Sequence, residues 1–197
     1  MTPWNSHGYD VAKVLGERFD YVAPVWFQIR QSEHGQAQIT GLHDIDRGWI
    51  KAVRAPCADQ EYSRFQKEKQ KSGVASKCPR IVPRFVWEAR SLSDAEQGRV
   101  IPLIVDVIVS NGLDGLVLEA PVSRPMMQWL QSLRTSLDIA TATARQGLQP
   151  LELVLVLPPP VVQEGQLLQG LDRAGLVEAA KYVDRFSLMT YDYSTGR

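Results

Sequence analysis

The sequence is short of several features that mark common classes of function. Among 197 residues there are two cysteines and three histidines, and Lys+Arg and Asp+Glu are equal at 22 each. A formal net charge of zero leaves no basic excess with which to meet phosphates or anionic lipid, so no nucleic-acid partner is expected. Apolar runs fall short of the ~18 residues that a bilayer span needs, so no membrane span is expected either. Residues 1–10 (MTPWNSHGYD) have neither a basic n-region nor an apolar h-region and do not read as a signal peptide. The phosphate-binding patterns GxGxxG and GxxxxGK[ST] and the nucleophile elbow GxSxG do not occur, which disfavours a Rossmann cofactor site and Ser-His-Asp catalysis. Cys57 and Cys78 form no CxxC pair, and no histidine stands at ligand spacing beside them. Neither zinc nor any cofactor is therefore expected. As residues they are either two unrelated thiols or, in an oxidising compartment, the ends of one closed loop worth about 3 kcal/mol of chain entropy.

What is present belongs to an ordinary folded chain, 44% hydrophobic and 22% charged, of a size that suits one domain or at most two small ones. Apolar runs stand at 21–29 (YVAPVWFQI), 80–88 (RIVPRFVWE), 113–119 (LDGLVLE), 152–160 (ELVLVLPPP) and 186–193 (FSLMTYDY). They are short and mostly continuous, as strands buried on both faces of a parallel sheet are. Residues 1–4 read as the tail of a further strand.

Helical patterns fill the intervals. Val11, Val14, Leu15 and Phe19 give one apolar face. Asp46 can cap a helix over 47–54 with Ile50 and Val53 inward. Ser93 and Glu96 make a capping box for a helix carrying Val100, Leu103, Ile104, Val107 and Ile108, interrupted by Pro102. Ser123 precedes a helix through Met126, Leu130, Leu133 and Leu137, and Leu176, Val177 and Ala180 mark the last one. This alternation predicts an α/β protein, either a doubly wound sheet or a (β/α) barrel. Residues 55–79 break the rhythm with the charged run 64–71 (RFQKEKQK). They read as a solvated insertion or short exposed helix, with a functional basic patch as the alternative.

Trp4, Trp26, Trp87, Glu88, Glu119, Tyr191, Asp192 and Tyr193 fall at or just after the C-terminal ends of the predicted strands. In a parallel barrel those ends converge on the ligand-binding face. Aromatic rings stack on the C–H faces of sugars while carboxylates accept hydrogen bonds from hydroxyls, so carbohydrate is the ligand class this set fits.

At 113–121 (LDGLVLEAP) and 187–192 (SLMTYD) the chain resembles glycoside hydrolase family 18, the chitinase family. The phrases at 2–14 (TPWNSHGYDVAKV), 40–49 (TGLHDIDRGW), 81–84 (IVPR) and 186–194 (FSLMTYDYS) resemble, within it, the chitinase domain-containing protein 1 group. The resemblance implies a (β/α)8 barrel with a carbohydrate cleft at the strand C-termini. Active members carry DGxDxDxE, in which the last Glu protonates the glycosidic oxygen while the substrate acetamide acts as nucleophile. Asp114 and Gly115 match its opening, Val117 and Glu119 replace the two inner aspartates, and Pro121 stands at the acid. Proline has no proton to give. Asp114 itself is expected to be a structural residue before a strand. Met189, Tyr191 and Asp192 match the family's MxYD pattern, whose Tyr and Asp contact the N-acetyl group.

The reading that follows is a catalytically inactive, lectin-like protein binding N-acetylated oligosaccharides or related glycans. One alternative is a hydrolase with a rearranged acid, Glu119 paired with Asp192 or Glu88. The other is a scaffold for a protein partner. The resemblance also implies a secretory, endolysosomal or extracellular site and favours a Cys57–Cys78 bridge. Against the ~250 residues of a (β/α)8 barrel the chain is short. The expected fold is an incomplete barrel of about six strands, the first clipped at residue 1 and the last two missing. It forms one domain over 1–197 with the insertion around 55–79, as a truncated gene model or fragment would.

Overall fold

The computed structural model describes residues 6–58, 78–121, 124–145, 148–163 and 166–189. The strands are β1 (Tyr21–Val22), β2 (Val25–Gln31), β3 (Ala37–Thr40), β4 (Arg80–Ile81), β5 (Arg84–Trp87), β6 (Gly115–Glu119), β7 (Glu152–Leu157), β8 (Val161–Gln163), β9 (Gln166–Gln169) and β10 (Arg185–Leu188). The helices are α1 (Ser6–Leu15), α2 (Arg47–Ala58), α3 (Asp94–Ser110), α4 (Arg124–Ala144) and α5 (Arg173–Ala179). The main sheet has six strands in the order β10-β7-β6-β5-β2-β3. All neighbours are parallel except β2 and β3.

The order decides between the two architectures the sequence allows. From β2 through β5, β6 and β7 to β10, each strand pairs with the next parallel one and the direction never reverses. A doubly wound sheet needs a reversal; a singly wound wall, built from right-handed crossovers, keeps every helix on one side. The wall is that of a (β/α) barrel, and no closed barrel forms among the described residues. Curvature is visible in the contacts: the Tyr21 hydroxyl of β1 reaches Glu152 of β7 at 3.0 Å, and Arg185 of β10 reaches that hydroxyl at 2.9 Å.

Period-two alternation divides each strand between two environments. Phe27, Ile29, Phe85, Leu116, Leu118, Leu153, Leu155 and Leu157 join the helices in the main core. Val82, Val117, Val154 and Val156, with Tyr21 and Met189, form a second cluster on the opposite, concave face. Two of the predicted strands are broken by proline, which donates no ladder hydrogen bond. The run at 21–29 divides at Pro24 into β1 and β2, and the run at 80–88 divides at Pro83 into β4 and β5. The hairpins β2–β3 and β8–β9 were not expected, because their strands are short and polar. β3 supplies the sixth strand of the described sheet, and the strand expected at residues 1–4 lies outside the described residues.

The helix signals held where a cap anchored them. Asp46 Oδ1 accepts from Trp49 N at 2.8 Å, and α2 buries Ile50 and Val53 but runs on to Ala58, into the expected insertion. Residues 59–77 lie outside the described residues. Ser93 Oγ accepts from Glu96 N, and α3 continues through Pro102, burying Ile101 while Leu103 of the expected face is exposed. Glu96 does not return to its own cap; Oε2 instead accepts from Ala37 N on the edge strand at 2.6 Å. The predicted face of α1 is the exposed one, with Val14 at 77%. Tyr9, Ala12 and Gly16 turn inward instead, because Tyr9 packs edge-on against Trp49 at 5.2 Å and Trp49 Nε1 donates to Tyr9 O. An aromatic pair of this kind buries more apolar area than the Val/Leu stripe would. Likewise α5 buries Ala179 and leaves Val177 exposed. Cys78 is disulfide-bonded; the side chain of Cys57 lies outside the described residues.

Gly115 opens β6 with φ +142°, and a Cβ there would overlap the backbone of Glu152 on the neighbouring strand. Gly115→Ala is expected to destabilise the protein by at least about 2 kcal/mol, from strain and loss of the β6–β7 register. Urea unfolding measures this; a loss below about 0.5 kcal/mol would show that the two strands are not in this contact.

Candidate functional site

The concave face presents polar side chains at the C-terminal ends of β2 and β6, at the start of β5 and just beyond its end, and two ion pairs tie them together. Arg84 and Glu119 are on this face by strand parity, since Val117 two residues before Glu119 belongs to the concave cluster. Arg84 Nε lies 2.7 Å from Glu119 Oε2. The approach is off-line for a hydrogen bond, which leaves this buried Nε without a hydrogen-bond acceptor. Nearer the rim, Arg30 of β2 donates through Nε to Glu88 Oε2 at 2.8 Å, and its Nη2 is 2.8 Å from the same oxygen. Thr40 and Gln28 complete this end, the Thr40 hydroxyl donating to Gln28 Oε1 at 3.1 Å. A shallow depression lies beside the second pair, lined by Arg30, Gln31, Glu88, Ala89 and Arg90.

The expected site residues divide accordingly. Glu88 and Glu119 stand at strand ends on the concave face. Trp26 does not: it is the second residue of β2, 1% exposed, and faces the helices. Its Nε1 donates to the Tyr9 hydroxyl at 2.9 Å, and its ring meets Trp49 edge-on at 5.7 Å. The ladder to β5 shifts register at this point, between Val25 and Phe27, so Trp26 is the bulged residue of a strand that begins later than predicted. Trp87 ends β5 but also turns to the helical side, edge-on to Trp129 of α4 at 5.4 Å, with its Nε1 donating to Ala89 O. Neither ring is a sugar platform on the concave face. Trp4, Tyr191, Asp192 and Tyr193 lie outside the described residues. Arg30 and Arg84 were missed as site residues. Arg84 interrupts the run at 80–88 with the parity of Glu88, a signal that the period of two could have revealed, whereas Arg30 lies just beyond the run at 21–29.

Asp114 lies at the other end of the sheet, immediately before β6. Its Oδ2 accepts from Arg54 Nη2 at 2.6 Å and from Ile81 N at 2.9 Å, and Oδ1 accepts from Arg145 Nη2 at 3.1 Å. Arg145 also donates to Leu113 O. This carboxylate joins α2, β4 and the segment after α4, and it has no access to the cleft. Its role is structural.

Among the described residues no group of three or more His, Cys, Asp or Glu side chains could hold a metal ion. No helix of those residues is long and apolar enough to cross a membrane. The one perturbed group near the sequence-predicted set is Tyr9. Burial raises its phenol above the usual 10.0, the Asp44 carboxylate adds to the rise, and the Trp26 hydrogen bond opposes it. The fold favours the neutral phenol. Its contribution to stability is present below the ordinary phenol value and lost as pH climbs through the raised one.

No family model matches the sequence. In fold the chain is similar to solved family 18 chitinases. The enzyme from Cycas revoluta in complex with (GlcNAc)3 superposes with a TM-score of 0.62 at 13% identity, covering 96% of this chain and 53% of that one. Its complex with allosamidin gives 0.63 at 12% identity, with the same coverage. The chitinase from Pseudoalteromonas aurantia gives 0.51 at 12% identity, over 90% of this chain and 62% of that one. The chain spans about half the length of the Cycas enzyme, and at these identities the likeness is one of fold.

Trp26→Phe is expected to keep the packing but lose the bond to Tyr9, at a cost of about 1 kcal/mol in urea unfolding. The Tyr9 phenol should then ionise at still higher pH, because the contact that lowers it is gone. An ultraviolet pH titration reads the shift; a downward one would contradict this account of the cluster.

Proposed function

We propose that the chain is a non-hydrolytic, chitinase-like carbohydrate-binding protein of the chitinase domain-containing protein 1 group. The observation that carries this reading is the concave end of β6. A general acid must bring its proton to within about 3 Å of the glycosidic oxygen, and the residue at the acid position of the family motif is Pro121. The only carboxylate of β6 is Glu119, two residues earlier and hence about 6.5 Å deeper along the strand. Its oxygen is committed to the Arg84 guanidinium at 2.7 Å. An ion pair of this kind uses the unprotonated carboxylate, the opposite of what a proton donor supplies, and this weighs against Glu119 as a relocated acid. The family fold supports a cleft, and the Cycas enzyme holds N-acetylglucosamine oligomers. Tyr191 and Asp192, which match the family's acetamide-binding pattern, are the proposed ligand contacts.

The wild-type chain should release no aryl product from an aryl N-acetylglucosaminide, yet bind chito-oligosaccharides in calorimetry. Tyr191→Ala and Asp192→Ala should each abolish that binding. Turnover that vanishes in Glu119→Gln would replace this reading with hydrolysis, and a flat calorimetric response to chito-oligosaccharides and bacterial glycans would remove it. The same reading places the protein in an oxidising lumen. Peptide mapping without reductant should return Cys57 and Cys78 in one linked peptide pair, whereas two free thiols would contradict the lumenal site.

A further inference from the structure

The described part of the cleft is built from charge rather than from aromatic rings. Trp26, Phe27, Phe85 and Trp87 all pack with the helical core. Tyr21, the aromatic on the concave face, lies at the opposite end beside Glu152. Neutral sugars are held chiefly by rings on their C–H faces, and at the ends of β2, β5 and β6 no ring is offered among the described residues. What is offered is Arg30, Glu119 and, just beyond β5, Glu88 and Arg90, with Arg84 at the start of β5 beneath them.

The charges are unequally committed. Arg84 and Glu119 neutralise each other at 27% and 32% side-chain exposure. At the rim, Glu88 fixes Arg30 through a single oxygen, Oε2, which faces both Nε and Nη2. Nη1 of Arg30 takes no part in those contacts. Arg90 lines the same depression, is exposed and has no ion-pair partner among the described residues. The depression thus holds two guanidinium groups against one carboxylate. One of them is oriented by that carboxylate and the other is open to a ligand.

Resting on the carbohydrate-binding reading above, we propose that this depression is a subsite for a carboxylate-bearing sugar, so that the protein selects acidic, uronate-containing oligosaccharides over neutral ones. A guanidinium presents parallel N–H donors at the spacing of two carboxylate oxygens, a match that neither a hydroxyl nor an acetamide reproduces. Glu88 supplies the orientation that an isolated surface arginine lacks, and Arg90 supplies the unbalanced charge.

The test is calorimetry on the whole chain with three hexasaccharides: chitohexaose, hyaluronan hexasaccharide (which alternates glucuronate with N-acetylglucosamine) and chondroitin sulfate hexasaccharide. One charge-assisted contact corresponds to a preference of about tenfold for hyaluronan over chitohexaose. The preference should shrink as salt is raised. Arg90→Gln should erase it while chitohexaose binding is unchanged. Arg30→Gln should also erase the preference, and because it releases Glu88 as well, Arg90→Gln, which breaks no pair among the described residues, is the deciding variant. Equal affinity for chitohexaose and hyaluronan, or a preference that survives in Arg90→Gln, overturns the proposal and leaves the carbohydrate-binding reading standing. Chondroitin sulfate binding tighter than hyaluronan overturns it in favour of a sulfate site. No binding of any of the three removes both readings together.

Discussion

The carboxylate of Glu152 is the point on which the curved sheet turns. It is the first residue of β7, 6% exposed, and the only buried charged residue among those described. Arg80 donates to Oε2 at 2.5 Å, while Arg185 and the Tyr21 hydroxyl reach Oε1 at 2.8 and 3.0 Å. Arg185 also lies over the Tyr21 ring at 4.8 Å. These partners come from β4, β10 and β1, so one side chain joins the walls of a sheet that its backbone ladder alone would leave free to open. A buried ion pair gains little over apolar packing, but a partner removed leaves a stranded charge that costs several kcal/mol. The network therefore specifies the curvature more than it adds to the total stability.

Asp114 extends the same device outward. Arg80, besides holding Glu152, donates to Asp114 O and Pro150 O, and Asp114 gathers Arg54 and Arg145. Carboxylates and arginines thus close the N-terminal ends of the strands. In a parallel barrel a division is usual, with stability at one end and binding at the other. Asp114 and Gly115 accordingly serve the fold at the N-terminal end of β6, while Glu119 stands at the other end of the same strand. The two ends of this five-residue strand stand about 13 Å apart.

Much of the wall was legible in the sequence. β6 and β7 are continuous apolar runs and appear as such, and the caps at Asp46 and Ser93 placed α2 and α3 because a side-chain cap is a local interaction. What failed was non-local. The orientation of α1 depends on Trp26 and Trp49, distant in sequence, and no helical wheel contains them. Trp26 and Trp87 were read as cleft residues from their position along a run, but the face a strand residue takes is set by register, and a bulge at Trp26 alters it. The two Arg–Glu pairs of the concave face link residues 35 and 58 positions apart. Only the topology brings them together: Arg84 and Glu88 share a parity within the run at 80–88, but the run at 21–29 carries no charge.

The measurement that bears most directly on this account is the unfolding free energy of Glu152→Gln, which keeps the side chain's shape and removes its charge. With the half-buried Arg80 left without its counter-charge, the urea midpoint should fall by the equivalent of about 3 kcal/mol, with the slope unchanged. A change below about 0.5 kcal/mol would mean that the carboxylate does not hold the strands together, and the curvature would need another cause.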